Sequence, residues 1–388
     1  MSKQLYKLII EPITCVHIGT GVELSPLDYK MEKSSKGRSL YVRFSSDSIL
    51  HRIALDSKLS ADFEAATAFH SMKTVQKFYH KNFNPNEDIL YLCHATKEFE
   101  ADYDQNKDAD PLDKAYFVKQ MYRPEGKMTP VIPGSSIKGA VRTAVLSSLL
   151  AESDDDIYNI FCNELTGCHS EYDKDKLNAK IQRELLGNYS DAKNDPFRAV
   201  EISDCSFKSK NTQIVGMLKS LSLNKHSGEL FVGNSIKIRA ETLKGYFMDN
   251  PDVAGDAVLR INTDLQKVKD GVKKALSVNT IIDSCNYFFW REFENEYGKF
   301  YSNATANCDL IKKLYEELKE CKEADNQFII RVGHWSQVEF VTLEEGLRSP
   351  KTRMVKGREL PSGTTRTVFD YDGQYLPLGW CKCHLEKI

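Results

Sequence analysis

The chain has 388 residues, more than one hydrophobic core usually organises, so about two domains are expected. Hydrophobic residues make up 41% and charged residues 28%, which excludes collagen-like, coiled-coil and wholly disordered chains. Its 53 basic and 55 acidic side chains leave a formal charge of -2, which argues against a protein that coats nucleic acid by bulk charge; a polyanion site must be a local patch.

No apolar run reaches about 18 residues, so no membrane span is expected. The start MSKQLYKLIIEPIT lacks a signal peptide's apolar region and small-residue cleavage site, and a cytoplasmic location is expected. The 10 cysteines include no C-x-x-C and read as reduced thiols. Two groups, Cys162 with Cys168-His169 and Cys381-x-Cys383-His384, come nearest to a zinc pattern. On a strand, Cys381 and Cys383 share one face and His384 the other, which is poor geometry for a closed site; buried thiols, with no metal or cofactor, are expected.

In chain order, LYKLIIEPITCVHI (5–18) is β-rich and ends in Gly19-Thr20-Gly21, a strand running into a glycine loop. A short extended piece, Tyr41 to Phe44, precedes Ser45-Ser46-Asp47, which offers caps for the helix SILHRIAL. From about 58 to 125 the chain is polar and partly helical, with an acidic run, EFEADYDQNKDADPLD, expected as a solvated loop. Pro133-Gly134-Ser135-Ser136 opens a helix with the apolar stripe Ile137, Val141, Val145 and Leu149, and helical pattern continues to about 186. Strands return at 199–207, at Gln213 to Leu223 and at Leu230 to Thr242, followed by a long helical stretch to about 323. Within that stretch Phe289, Phe293 and Tyr297 stand four apart, a spacing expected of core rather than of a base-stacking surface. FIIRVGHW, a basic loop and the closing strand GWCKCHLEKI complete the chain.

This order of elements predicts an α+β protein of two units, each a small antiparallel sheet with helices on one side. They are placed at 1–228, with a helical insert at about 45–130, and at 229–388, with a helical insert at about 250–323.

Three places can carry chemistry. At Gly134 to Arg142, a proline-glycine turn opens a helix whose free first-turn N–H groups form an anion site, with Ser135 or Ser136 as cap. Lys138 and Arg142 lie four apart on one face, a like-charged pair that an anionic partner would relieve. A capped helix with two solvated cations is the plainer alternative, and the spacing is not that of a Walker loop. At VHIGTG, His17 stands at a strand end beside Gly19 and Gly21, as a general base, a phosphate donor or a hydrogen-bonded turn histidine. Asp28 lies nearby, but no second acid or serine is placed for hydrolysis. Between Leu347 and Arg366, six basic residues face one acid, so Arg348, Lys351, Arg353, Lys356 and Arg358 form a loop suited to phosphates or a solvated charged surface.

IPGSSIKGAVRTAVL (132–146) resembles the signature of the RAMP superfamily of CRISPR effector proteins, in which such a turn begins the first helix of a ferredoxin-like, RNA-recognition-motif domain. VHIGTG resembles the end of that family's first strand. LPLGWCKCHLEKI (376–388), after a basic loop, resembles the last strand of the branch formed by terminal subunits of Csm-type (type III-A) effector complexes. The resemblance implies two ferredoxin-like (RRM/RAMP) domains with helical insertions. It also implies a non-catalytic subunit that holds the 3′ portion of the guide RNA (crRNA), docks on a neighbouring backbone subunit and supports crRNA maturation by recruiting host nucleases. The family's C-terminal glycine-rich loop is replaced by VGHWSQ, where His334 and Trp335 can stack or hydrogen-bond instead. The surroundings of Asp28, LSPLDYK, do not match the loop aspartate with which a backbone subunit cleaves target RNA. Two other readings stand beside this one: a metal-independent endoribonuclease using His17, and a protein-only assembly adaptor.

Overall fold

The computed structural model describes residues 3–125, 128–153, 155–187, 195–207, 212–224, 230–248, 253–265, 276–302, 307–343, 347, 353–355, 358–360 and 365–388. The first quarter of the chain runs β1 (Lys3–Pro12), β2 (Gly19–Leu24), β3 (Tyr29–Lys33), β4 (Ser39–Phe44), α1 (Ser46–Leu55), α2 (Ser57–Thr67), α3 (Met72–Lys81) and β5 (Ile89–Ala95). It continues through α4 (Lys97–Gln105), β6 (Val118–Met121), β7 (Val131–Ile132), α5 (Gly134–Ala151), α6 (Asp155–Thr166) and α7 (Glu171–Leu186). Then come β8 (Val200–Ile202), β9 (Cys205–Phe207), β10 (Gln213–Leu223), β11 (Leu230–Leu243), β12 (Gly255–Asn262), α8 (Val278–Glu296) and α9 (Asp309–Glu323). The end of the chain is β13 (Gln327–Arg331), a hairpin of β14 (Arg353–Val355) and β15 (Arg358–Leu360), β16 (Thr365–Tyr371), β17 (Gln374–Pro377) and β18 (Trp380–Lys387).

Two sheets carry the fold, and the α+β class is as expected. The first is antiparallel, in the order β13-β18-β1-β12-β9-β7, with β8 also on β12. The second runs β2-β6-β11-β10-β5-β4-β3, with β16 on β10 and β17 on β16. The sequence places a boundary near 228, which falls between β10 and β11, two strands paired with each other. β1 lies between β12 and β18, while β16 and β17 join the second sheet, so each sheet draws strands from both sides of that boundary.

The amphipathic stripe of α5 packs Ile137, Val141 and Val145 into the main core, where α8 adds Ile281, Phe288, Phe289 and Phe293. Fully burying side chains of this size stabilises the fold by about 1.5–3 kcal/mol each. The aromatic stripe of α8 is therefore core, as its spacing predicts. β18 contributes Trp380, Cys381, Cys383 and Leu385 to the same core. Burial raises the Cys381 and Cys383 thiols well above their ordinary pKa, and His384 lies on the other face of the strand, half-exposed.

Several strands lie inside stretches expected to be helical or polar. β12 falls within the long helical stretch, yet its burial alternates with period two: Ala257, Leu259 and Ile261 point inward between Asp256, Val258 and Arg260. β5 and β6 interrupt the polar stretch of 58–125. The closing of β1 also differs from expectation. The strand stops at Pro12, and residues 13–18 cross from one sheet to the other: Ile13 N–H donates to Trp380 O at 2.8 Å, and Val16 pairs with Leu243 of β11. His17 stands on this seam.

Candidate nucleic-acid interface

The seam is built from three segments far apart in sequence. Gly379 N–H donates to Cys15 O at 2.8 Å, Val332 N–H to Gly379 O at 2.9 Å, and His334 N–H to His17 O at 2.8 Å. Gly333 has φ +95, and a Cβ there would sit 2.6 Å from His17 O, so only glycine allows this approach. Trp335 and Gln337 follow with φ of +66 and +71, a left-handed backbone that costs a bulky residue free energy. What holds Trp335 there is packing: its ring lies 4.8 Å from that of His17 at 35°.

A cleft of about 480 Å³ opens beside this seam. It is lined by His17, Gly19 and Gly21 from the first motif, Ser136 from the helix signature, and Gly333 and His334 from the C-terminal segment. Lys119 and Gln120 of β6 and Glu23 of β2 complete it. Lys119 Nζ lies 2.6 Å from Glu23 Oε1, both side chains well exposed, so the pair is weak and its lysine can be redirected to a phosphate. Around Gly21 a Cβ would meet nothing within 4 Å, so the rim is open to a chain-like ligand.

His17 is 2% exposed, and its Nδ1 lies 2.7 Å from Glu241 O. Burial lowers its pKa to about 4, against the opposing pull of that backbone acceptor. The ring is thus neutral at pH 7, with Nδ1–H donated to Glu241 and Nε2, beside Gly19, left as an acceptor. Such an imidazole positions the seam and gives no cationic donor to a phosphate. The Glu241 carboxylate is held in turn: Arg123 Nη1 donates to it at 2.8 Å, Tyr91 Oη–H at 2.7 Å and Met121 N–H at 3.0 Å.

The helix signature works differently from expectation. Pro133 is the residue before α5, and neither serine caps the helix with its side chain. The Gly134 N–H donates to Asp204 Oδ1 at 2.9 Å, so a carboxylate of the chain itself sits where an anion would bind. Gly134 is needed because a Cβ would overlap the Ile202 carbonyl. Arg142 is also committed internally: its guanidinium donates to Asp195 Oδ2 at 2.9 Å and Gln182 Oε1 at 3.0 Å, over the Phe197 ring. It faces a different groove, with Thr143, Leu146 and Leu343. Lys138 is half-buried between Asp195, Arg142 and Glu201, and burial lowers its pKa. Of this motif only Ser136 reaches the cleft.

In the basic C-terminal run, Arg348, Lys351 and Lys356 lie outside the described residues, and Arg353 and Arg358 are placed by backbone alone, on the β14–β15 hairpin. Arg366 is a structural residue. It is buried, with Nε 2.7 Å from Glu296 Oε1 and Nη2 donating to Glu339 Oε1 at 2.8 Å, while Arg331 Nη1 donates to Glu296 Oε2 at 2.8 Å. This cluster ties α8 and β16 to the segment just after Trp335. Lys119 and Gln120, which sequence reasoning missed, sit on a four-residue strand with no distinctive pattern.

The sequence model of the RAMP superfamily matches residues 9–327, across all but the ends of the chain. The chain belongs to the RAMP superfamily. The match includes the first two motifs of the cleft, and the third lies just beyond it. Among solved structures, this RAMP chain is similar to a chain of a "Csm-crRNA-target RNA ternary complex in type III-A CRISPR-Cas system", with a TM-score of 0.66, 17% identity, and 98% of this chain and 100% of that one covered. It is also similar to Csm5 of T. onnurineus, with a TM-score of 0.59, 15% identity, and 96% and 99% covered. At these identities the likeness is one of fold. No curated protein matches in sequence.

Proposed function

We propose that this RAMP protein is a non-catalytic, guide-RNA-binding subunit of a type III-A (Csm) CRISPR ribonucleoprotein, placed at the end that holds the 3′ portion of the crRNA. The observation that carries the reading is the convergence of residues 17–21, Ser136 and 333–334 on one open cleft beside Lys119. Near-complete two-way coverage with a chain of a Csm–crRNA–target RNA complex supports the same reading. Small residues and one weakly paired lysine suit a ribose-phosphate backbone read without regard to base, as a subunit serving many guides requires. Protein neighbours would be the adjacent backbone subunit and, for 3′ maturation, host nucleases. The hairpin carrying Arg353 and Arg358 supplies a second candidate contact. The buried, neutral His17 fits a positioning role and not that of a general acid.

The test is RNA binding by the purified protein, with co-purification of the other effector subunits and sequencing of the RNA retained. Replacing Lys119 by Glu and Ser136 by Asp places two carboxylates in the cleft, which should weaken guide binding by about tenfold or more and flatten its salt dependence by about one unit of slope. Neutralising Arg353, Lys356 and Arg358 probes the hairpin separately. Unchanged affinity and unchanged assembly in the cleft variant would sink the assignment, and guide cleavage in EDTA that is lost in His17→Ala would replace it with the endoribonuclease reading.

A further inference from the structure

A second cleft, of about 460 Å³, lies on the second sheet apart from His17, between the β3–β4 turn, the start of α4, the end of β11 and the β16–β17 turn. Its charges do not cancel. Lys33, Arg38, Lys97 and Lys244 line it with only two acids, Glu100 and Asp372. Glu100 is paired with Lys33 and also takes the Ser39 hydroxyl, and Asp372 Oδ1 lies 3.0 Å from Lys97 Nζ. Both acids are thereby engaged, and Arg38 and Lys244 are left over.

Lys244 is the decisive residue. It is only 9% exposed, and among the described residues its ammonium has no hydrogen-bond or ion-pair partner. What is buried is the aliphatic stem; the ammonium opens onto the cleft, and the neighbours there supply it no counter-charge. Burial lowers the Lys244 pKa, the Cys93 and Cys15 thiols oppose this, and Arg38 lowers it further. His94, which also lines the cleft, has its pKa lowered by burial and then by Lys244 and Arg38, which keeps the imidazole neutral beside the two cations. The backbone of Lys244 is anchored at the cleft. Its backbone N–H is held by Thr212 O at 2.7 Å, and the next residue, Gly245, is pressed so closely against Ile13 that a Cβ would overlap its carbonyl. A cation anchored at its backbone and opening onto the cleft beside a second one has no anion of its own among the described residues that line it.

We propose that the Lys244–Arg38 cleft binds a phosphate dianion, either free orthophosphate or the monoester end of a nucleic acid strand. Two uncompensated cations match a charge of about -2, which a phosphate monoester approaches near pH 7 and a diester or a single carboxylate does not. His94, neutral, has one ring N–H to offer, and Tyr371 also lines the cleft, an aromatic ring available to an attached sugar or base.

The full-length protein is titrated with inorganic phosphate, followed by ³¹P NMR, and with RNA ten-mers that differ only in a terminal phosphate. Wild type should bind orthophosphate at millimolar concentration or tighter, and Lys244→Met and Arg38→Gln should each weaken it at least about fivefold. Arg38 is exposed on a turn, so its variant remains informative if Lys244→Met disturbs folding. A terminal phosphate that improves RNA binding about tenfold, with the gain lost in both variants, identifies the strand end as the source. Orthophosphate binding without that gain identifies the free anion. Absence of both, or variants that bind as wild type does, overturns the proposal, as does displacement of phosphate by an acidic peptide at lower concentration. The orthophosphate arm does not involve guide binding, so its failure leaves the reading of the His17 cleft standing.

Discussion

The start of α5 and the Lys244 cleft are both places where cations gather, and they resolve their charge in opposite ways. At α5 the Gly134 N–H and Arg142 are answered from within the chain: Asp204 accepts from the Gly134 N–H, and Asp195 and Gln182 accept from Arg142. Around Lys244 the acids are engaged by Lys33 and Lys97, and two cations remain. A basic motif compact in sequence thus proves largely structural, while a cationic site comes from residues scattered between 33 and 372. Local density of charge is a poor guide to free charge; what decides is whether the fold brings a partner.

This contrast can be broken most forcefully where charge is matched deepest. Glu296 holds both Arg331 and Arg366 in the core, so Glu296→Ala should cost about 3–5 kcal/mol in denaturant unfolding, by leaving two buried guanidiniums without their shared carboxylate. A loss below about 1 kcal/mol would show that these charges are solvated after all.

Next comes pH. His17 and His80 both have pKa values lowered to about 4 from 6.5, chiefly by burial. The unfolded chain binds their protons first, so their contribution is complete above pH 6.5 and is lost as pH falls from 6.5 towards 4. Each should remove up to about 1.4 kcal/mol of stability per pH unit in that window. His17→Gln should reduce the slope measured by urea unfolding at stepped pH, by up to about 1.4 kcal/mol per pH unit; an unchanged slope would mean that His17 is not held neutral.

The smallest effect is expected at α5. Arg142 and Asp195 are each about one-fifth exposed, so Arg142→Ala should lower stability by about 1 kcal/mol and leave RNA affinity and its salt slope unchanged. A fall in RNA affinity there would return the helix signature to the binding surface and erase the contrast.

The same logic separates what could be read from the residues and what could not. VHIGTG and VGHW announce themselves because glycines at a seam are a local requirement, and both line the cleft, where the helix signature adds Ser136. The stripe of α5 and the aromatics of α8 obey helical period and went to the core as expected. β12 also carried its signal, in the alternation of Ala257, Leu259 and Ile261, but the helical pattern around it dominated. Lys119 offered nothing, since a four-residue strand has too few positions to show a period. The partners of Gly134 and Arg142 stand 70 and 53 residues away, a distance that only the tertiary fold can close.

The position of β1 has a consequence for how the molecule is made. The strand that leads into His17 is flanked by β12 and by β18, which are among the later elements of the chain. During synthesis β1 must wait, with one edge unpaired, until residues 380–387 have left the ribosome. The seam waits as well, since Cys15 and Val332 meet through Gly379. Contacts of such long sequence separation form slowly and late. The cleft is consequently among the last parts of the protein to exist, and a chain cut short near its end has the motif residues but no site.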